Sequence, residues 1–166
     1  MSNVRKKFGL YIGGRDKVGE VQEYTPPVLE VMTEDFRAGG MDMAIAMDMG
    51  MSPMSATWTM AEDKDVLSLF GLTQGRPVAV FVRSALHDDE TGTVVPALEE
   101  LRGKLTKVDH GTKTSGSYTP TSFEMKLSYY RYEQAGAVIH EIDPKNMVRI
   151  INGVDQLAEF RSALGK

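Results

Sequence analysis

The sequence predicts a mainly β protein, mostly strand with two short helices, in a single domain spanning residues 1–166. Three segments support this. From position 41 to 51, Met or Ile occupies every odd position, and Asp, Ala or Gly every even one. Because side chains alternate between the two faces of a strand, this pattern indicates one apolar face and one small, acidic face. A second alternation follows Tyr118, and residues 78–82 strongly favour β structure.

The beginning of the chain predicts a hairpin and a joint. Residues 9–12 and 18–21 flank Gly13-Gly14 as a first hairpin. Pro26-Pro27 then blocks regular pairing before an extended stretch at 28–32. Residues 37–40 form a flexible polar joint that precedes the alternating strand.

A second hairpin is predicted around Ser52-Pro53. Beyond this point the apolar phase inverts, so that Met54, Ala56, Trp58 and Met60 occupy even positions. Since a turn or bulge shifts the phase by one residue, we expect segments 41–51 and 54–60 to pair with a shared apolar side.

The middle of the chain predicts one helix and two strands. Residues 62–70 have acidic residues in a first helical turn and end at Gly71. A turn at 87–92 separates the strand at 78–82 from a long strand at 93–108. Residues 109–117 are rich in Gly, Ser, Thr and Lys, which predicts a mobile loop.

The last part alternates and then ends in a helix. Residues 123–127 are apolar at odd positions, and Ala135-Gly136 turns the chain into a strand at 138–142. A brief strand ends at Ile151. The closing helix is expected to pack inward through Val154, Leu157, Phe160 and Leu164.

Composition limits the classes of function. Apolar residues make up 42% of the chain, yet no apolar run approaches the length of a membrane span. The net charge of −4 argues against a surface that grips nucleic acid. Without cysteine there is neither a disulfide nor a thiol nucleophile. The basic start lacks the apolar stretch of a signal peptide, so we expect synthesis and retention in the cytosol.

No catalytic or cofactor motif stands out. His87, His110 and His140 lack the spacing of metal ligands. Serine and threonine lack a nucleophile elbow, and the paired glycines are too short for a phosphate loop. The Met-x-Met spacing offers Cu(I) binding as an alternative to packing, but no His or Cys supports it. We therefore expect a packed methionine face, no cofactor and no enzymatic activity.

Four ordered stretches resemble the major tail tube protein family of contractile-tailed bacteriophages and R-type bacteriocins. They lie at 36–42 (Phe-Arg-Ala-Gly-Gly-Met-Asp), 128–130 (Ser-Tyr-Tyr), 141–146 (Glu-Ile-Asp-Pro-Lys-Asn) and 151–158 (Ile-Asn-Gly-Val-Asp-Gln-Leu-Ala). The resemblance covers essentially the whole chain. One departure is the sequence Pro-Pro-Val-Leu at 26–29, where the family usually has Leu-Pro-Lys-Leu.

The resemblance implies a hexameric ring that stacks into a tube inside a sheath. Each subunit would be a small antiparallel β-barrel or sandwich with a flanking short helix and a C-terminal helix. The C-terminal helix would cap the subunit's own barrel, and contact with the sheath is the alternative. Its extended hairpins would lend four strands to a ring-wide barrel of twenty-four. Strands about 4.8 Å apart and tilted about 45° close at a diameter of about 50 Å, wide enough for a DNA duplex.

The resemblance also implies partners and a location. The expected partners are other copies of the chain, the sheath, the baseplate, the tail terminator and a tape measure protein in the lumen. DNA, or ions in a bacteriocin, would pass without specific binding, and no membrane partner is expected. The particle would be a virion tail or bacteriocin assembled in the bacterial cytoplasm. The alternatives are an Hcp-like secretion-system tube protein and a monomeric β-barrel binding protein.

The ring model assigns a face to each alternating residue. The lumen-facing candidates, small or acidic for the most part, are Asp42, Ala44, Ala46, Asp48, Glu124, Lys126 and Ser128. The opposite positions would pack on the subunit's core: Met43, Ile45, Met47, Met49, Trp58, Phe123, Met125 and Leu127. Acidic side chains repel phosphate, so DNA would not adhere. The simpler alternative is an ordinary sheet with one solvated face.

Two polar segments are candidates for contacts between subunits or rings. They are the joint with Arg37, Gly39 and Gly40, and the loop with Asp109, His110 and Lys113. Arg37 would reach a carboxylate of the next subunit and help to fix register. An ordinary solvent-exposed arginine is the equal alternative.

Overall fold

The computed structural model describes residues 3–71 and 76–166 and confirms the mainly β fold. Twelve strands and two short helices occur in these residues. The strands are β1 (Val4–Ile12), β2 (Arg15–Asp16), β3 (Val21–Thr25), β4 (Val31–Phe36), β5 (Ile45–Met51), β6 (Ser55–Met60), β7 (Val78–His87), β8 (Val94–Asp109), β9 (Thr121–Gln134), β10 (Ala137–Asp143), β11 (Val148–Ile151) and β12 (Val154–Asp155). The helices are α1 (Lys64–Leu67) and α2 (Ala158–Ala163).

Ten strands form one antiparallel sheet with the long β9 near its middle. β8 pairs along one edge of β9, while β6 and β10 share its other edge. The sheet continues through β7, β1 and β2 on one side, and β3 pairs with β6. Phe8 on β1 and Tyr24 on β3 still approach to 6.3 Å between ring centroids. The sheet therefore curls until its distant strands meet.

The core fills the inside of this curled sheet. Trp58 on β6 stacks on Phe123 on β9, with ring centroids 5.7 Å apart. Ala56 and Met125 are buried beside them, because alternate residues of a strand share a face. The buried cluster comprises Leu10, Ile12, Met54, Ala56, Trp58, Met60, Val66, Val80, Val82, Leu101, Leu105, Phe123, Met125, Tyr130 and Ile142.

The alternating segment 41–51 differs from the prediction in its partner and its length. Its strand, β5, begins at Ile45 and pairs with β4 in a separate two-stranded sheet. β6 pairs instead with β3 and β9, so the predicted hairpin of 41–51 with 54–60 is wrong. The phase inversion marks a passage from one sheet to another. The first hairpin also differs, since β1 turns at Gly13-Gly14 into β2.

Asp63 fixes the short helix α1, which is shorter than the predicted 62–70. Its Oδ1 accepts hydrogen bonds from the backbone N–H groups of Asp65 and Val66 at 2.8 and 3.3 Å. The other carboxylate oxygen accepts from Lys17 Nζ at 2.6 Å, and this ammonium is the main cause of a lowered pKa for Asp63. The cap turns Val66 into the core.

A buried carboxylate links three strands that are not neighbours in the sheet. Glu99 on β8 is 1% exposed. Its carboxylate accepts from Arg5 Nη2 on β1 at 2.8 Å and from the Tyr24 hydroxyl on β3 at 2.6 Å. Burial, and then this carboxylate, raises the pKa of Tyr24, so the phenol stays protonated and donates a hydrogen bond to Glu99. The network holds the ends of the curled sheet to its middle.

Replacing Glu99 by Gln is expected to lower the free energy of unfolding by about 2–4 kcal/mol, because Arg5 loses its counter-charge. Glu100→Gln is the matched control. Glu100 pairs with Arg102, whose side chain is 49% exposed, so the loss should stay below about 1 kcal/mol. Urea unfolding of the unassembled subunit measures both changes. Equal losses would contradict the bridging role of Glu99.

Gly103 lies where β8 and β9 approach too closely for a side chain. A Cβ at Gly103 would lie 1.9 Å from the backbone oxygen of Lys126. We expect Gly103→Ala to cost more than about 2 kcal/mol, since backbone cannot rotate away. Gly39→Ala, where a Cβ meets nothing within 4 Å, should be close to neutral. Thermal unfolding compares the two variants, and an unchanged melting temperature for Gly103→Ala would refute the steric argument.

Candidate functional site

The hairpin of β4 and β5, with the connecting residues 37–44, is exposed on both faces. We call it the arm. All six residues of β4 are exposed, as are those of β5 from Ile45 to Met49. Its exposed large apolar residues are Val31, Met32, Phe36, Met43, Ile45, Met47 and Met49. A two-stranded hairpin is marginally stable on its own, and clustered exposed apolar side chains mark an interaction surface.

The register of the arm separates two chemically different faces. Ile45 lies opposite Phe36, and Met47 lies opposite Glu34. We call Phe36, Ile45 and Met47 the Met face. On the other face, which we call the acidic face, Ala46 lies opposite Asp35 and Asp48 lies opposite Thr33.

The sequence predicted that the methionine side packs on the subunit's own core. This prediction is wrong for the four residues that lie in the arm. Met43 is 71% exposed, and Ile45, Met47 and Met49 are also exposed. These residues belong to the arm, which does not join the ten-stranded sheet. Trp58, Phe123 and Met125 are buried in the core, and Leu127 packs against it half-buried.

The acidic candidates lie in different surroundings. Asp42 and Ala44 precede β5, with Asp42 exposed and Ala44 half-exposed, while Ala46 is exposed on the strand. Asp48 accepts from Arg149 Nη2 on β11 at 2.7 Å and from the Gly50 N–H at 2.9 Å. Arg149, and then the Gly50 amide, lowers the pKa of Asp48. The charge of Asp48 is therefore balanced within the subunit.

The candidates on β9 lie on a mixed polar face. Glu124 pairs with Lys126 at 2.8 Å, and this lysine is the main cause of a lowered pKa for Glu124. Lys104 of β8 lies directly opposite Lys126. Ser128 donates to the Arg102 carbonyl oxygen at 3.3 Å. Both signs of charge are thus present, so this face is less acidic than the arm.

An apolar groove of about 890 Å³ lies between the base of the arm and the C-terminal helix. Met54 and Ile142 are buried core residues that line it. Leu127 and Met147 also line it, and Phe160 and Leu164 line it from the helical end of the chain. Arg149 is the basic residue of the groove, and its buried Nε lacks a hydrogen-bond partner among the described residues.

Helix α2 does not pack on the barrel as predicted. It contains no buried residue, and Phe160 and Leu164 are 63% and 64% exposed. Val154 is exposed as well, and Leu157 is half-buried. Arg161 holds the helix through the Met147 carbonyl oxygen at 2.6 Å and the Asp155 carboxylate. These polar contacts hold α2 beside the groove, and the apolar side chains of Phe160 and Leu164 stay exposed.

The candidate contact residues are already engaged within the subunit. Arg37 Nε donates to the Met41 carbonyl oxygen at 3.2 Å, in the turn that also contains Gly39 and Gly40. His110 and Lys113 both approach Glu62, at 3.1 and 3.0 Å. Asp109 accepts from the Gly111 N–H at 2.9 Å. Two exposed ion pairs thus join the loop that the sequence predicts to be mobile to Glu62, just before α1.

Sequence reasoning missed Glu99 and Arg149. Glu99 follows Ala97 and precedes Leu101 on the core face of β8, and this two-residue period was the available signal. Arg149 had no such signal, since its partner Asp48 is 101 residues away. Among the described residues, no group of three or more His, Asp or Glu side chains could hold a metal ion. Neither described helix has the length and hydropathy needed to cross a membrane.

Solved structures of contractile systems share this fold. The chain is similar to the sheath/tube terminator of the extracellular contractile injection system PVC, with a TM-score of 0.59 and 10% identity over 77% of this chain and 94% of that chain. It is also similar to a chain of the PVC sheath–tube complex, with a TM-score of 0.53 and 12% identity over 77% and 87%. For the tube-terminating cap of the anti-feeding prophage, the TM-score is 0.56 at 11% identity over 78% and 89%.

Sequence comparisons point to the same family that the four ordered stretches resemble. The chain is 26% identical to the tail tube protein of Escherichia phage P2, over 96% of this chain and 95% of that protein. It is 28% identical to the major tail tube protein of Serratia phage KSP20, over 85% and 82%. The family model of phage tail tube protein FII matches residues 3–165. The resemblance is confirmed: the chain belongs to the phage tail tube protein FII family, the tube proteins of contractile tails.

Proposed function

We propose that the subunit forms a hexameric ring in which the arms of neighbouring copies join one continuous tube wall. The exposed arm is the observation that carries this proposal. Its two strands pair with each other, and each keeps one outer edge without a strand partner among the described residues. Unpaired edges invite pairing with another chain, and a closed barrel removes them.

A second edge supports a continuous wall. β7 pairs with β8 from Val94 to Gly103, whereas β9 accompanies β8 as far as Asp109. Within the described residues, positions 104–109 therefore lack a strand partner on the β7 side. Together with the arm, the ends of β8 and β9 supply the four strands that the ring requires from each subunit.

The acidic face of the arm is proposed to line the lumen. Small side chains at Ala44 and Ala46 keep the bore open, and Asp42 repeats around the ring as a fixed negative charge. Asp48 contributes less, because Arg149 balances it. Glu124, Lys126 and Ser128 would add a nearly neutral stretch. Phosphate repulsion would let DNA pass without adhesion. In a bacteriocin, the same bore would conduct ions.

The proposed partners follow from the family and from the assembled neighbours. Copies of the chain would stack, with Arg37, Gly39, Gly40, Asp109, His110 and Lys113 near the contacts between subunits or rings. Sheath, baseplate, tail terminator and tape measure proteins would complete the particle in the bacterial cytoplasm. The tube supports passage and carries out no reaction. No cofactor is proposed.

Two alternatives are weaker. A secretion-system tube would also form rings, but the match over residues 3–165 favours the phage tail. A monomeric binder would place the Met face around a ligand cavity. Ile45 and Met47 are instead exposed on the arm and do not line the apolar groove.

Negative-stain electron microscopy of the purified chain is expected to show rings or tubes. Met47→Asp should abolish them, because a charge on the Met face cannot be buried without a partner. Ala46→Asp places the same charge on the acidic face of the same strand and should leave assembly intact. Both variants should keep the melting temperature of the subunit. Tubes formed equally well by Met47→Asp would contradict burial of the Met face.

Charge reversal in the lumen should make the tube retain DNA. We expect tubes of Asp42→Lys to co-sediment about tenfold more short duplex DNA than wild type at low salt, and the excess to vanish as salt rises. Glu159→Lys introduces the same change on exposed α2 and serves as the control. Equal retention by the two variants would place Asp42 outside the lumen.

A further inference from the structure

The Met face and the apolar groove are complementary surfaces that one subunit leaves unmatched. Phe36, Ile45 and Met47 are 45%, 51% and 39% exposed. None of them lines the groove of its own subunit, although Asp48 and Met51 from the same strand do. The groove in turn presents Phe160 and Leu164, which are also mostly exposed. Exposure of these apolar side chains to water is unfavourable, so covering either surface with a partner would lower the free energy.

We propose that the groove receives the Met face of the arm of a second copy of this chain. The inference rests on the proposed tube function and names the contact that holds neighbouring subunits together. Met47 and Ile45 would enter between the base of the recipient's own arm and its α2. Flexible, unbranched methionine side chains suit an irregular groove of this kind.

Charge complementarity favours a second copy as the occupant. Glu34 lies directly opposite Met47, so an entering Met face brings a carboxylate with it. The groove contains Arg149, whose Nη groups contact Asp48 while its buried Nε has no described acceptor. A guanidinium has five N–H donors, so Arg149 can serve both carboxylates. A docked Glu34 would therefore share the Nη groups of Arg149 with Asp48, where the Nη1 contact to Asp48 is the longer one at 3.4 Å, and the rest of the Met face would cover apolar surface.

The contact is heterologous, since it joins two different surfaces of the chain. It can therefore repeat from one copy to the next. The groove is bounded on one side by Met51, Ser52 and Pro53, at the base of the subunit's own arm. Each copy that receives an arm thus extends its own arm to the next copy. Contacts between two different surfaces close into rings when the rotation between copies allows it. This connectivity matches a ring whose wall is built from arms.

Cysteine cross-linking in assembled tubes tests the contact. The chain has no cysteine, so introduced thiols are unique. Tubes of the double variant Met47→Cys/Phe160→Cys, treated with a short bis-maleimide, should give a ladder of covalent oligomers on a denaturing gel. The control Ala46→Cys/Phe160→Cys carries its thiol on the opposite face of β5, and its ladder should be at least tenfold weaker.

Other outcomes overturn the inference in distinct ways. A cross-linked monomer would show that the arm folds onto its own groove. Equal ladders from both double variants would show proximity without docking of the Met face. If Met47→Cys/Phe160→Cys does not assemble, Met43→Cys/Leu164→Cys replaces it.

A reactivity measurement separates this contact from tube formation itself. Phe160→Cys alone should react with maleimide at least tenfold more slowly in tubes than in free subunits. Tubes in which this thiol stays fully reactive would overturn the docking but leave the tube function standing. Absence of tubes from the wild-type chain would instead overturn the proposed function.

Discussion

The arm depends on burial that its own subunit does not provide. Two antiparallel strands with a row of Met, Ile and Phe side chains cannot shield that row by pairing with each other. The rest of the molecule is well packed, with Trp58 and Phe123 stacked in a core that needs no partner. The curled sheet thus folds around its own core, whereas the arm stays exposed in the single subunit. In the proposed ring, stability and assembly are supplied by these different parts of the chain.

Polar contacts set the geometry of the apolar surfaces. Glu99 fixes the curl of the sheet through Arg5 and Tyr24. Asp48 and Arg149 join the base of the arm to β11, and Arg161 holds α2 at the edge of the groove. Each of these pairs joins elements that are separated in the sheet order or in the chain. They fix the orientation of the apolar surfaces within the subunit, and for the proposed assembly such preorganisation would reduce the entropy lost on association.

Local sequence patterns predicted the features that depend on neighbouring residues, namely the buried faces of strands and the start of a helix. The alternations at 54–60 and 123–127 identified the core faces of β6 and β9, and the acidic residues from position 62 indicated a helix where α1 begins. The pairing of β5 could not be predicted in this way, because the same period fits β4 and β6 equally well. The sequence also could not predict which surface covers Phe160 and Leu164. An apolar helical stripe indicates that it will be buried, but it does not show whether the same chain or another one buries it.

The bulge at Gly50 explains why the uninterrupted alternation of residues 41–51 does not form one continuous face. Opposite β4, the register moves from Val31 to Thr33 while β5 moves from Met51 to Asp48, so β5 holds one extra residue there. Gly50 adopts a φ of +100°, which a residue with a side chain rarely adopts. Met51 thereby packs against the core, whereas Met47 remains outside. A single glycine thus separates two methionines of one apparent stripe: Met51 packs inside the subunit, and Met47 stays on its surface, free for the proposed neighbour.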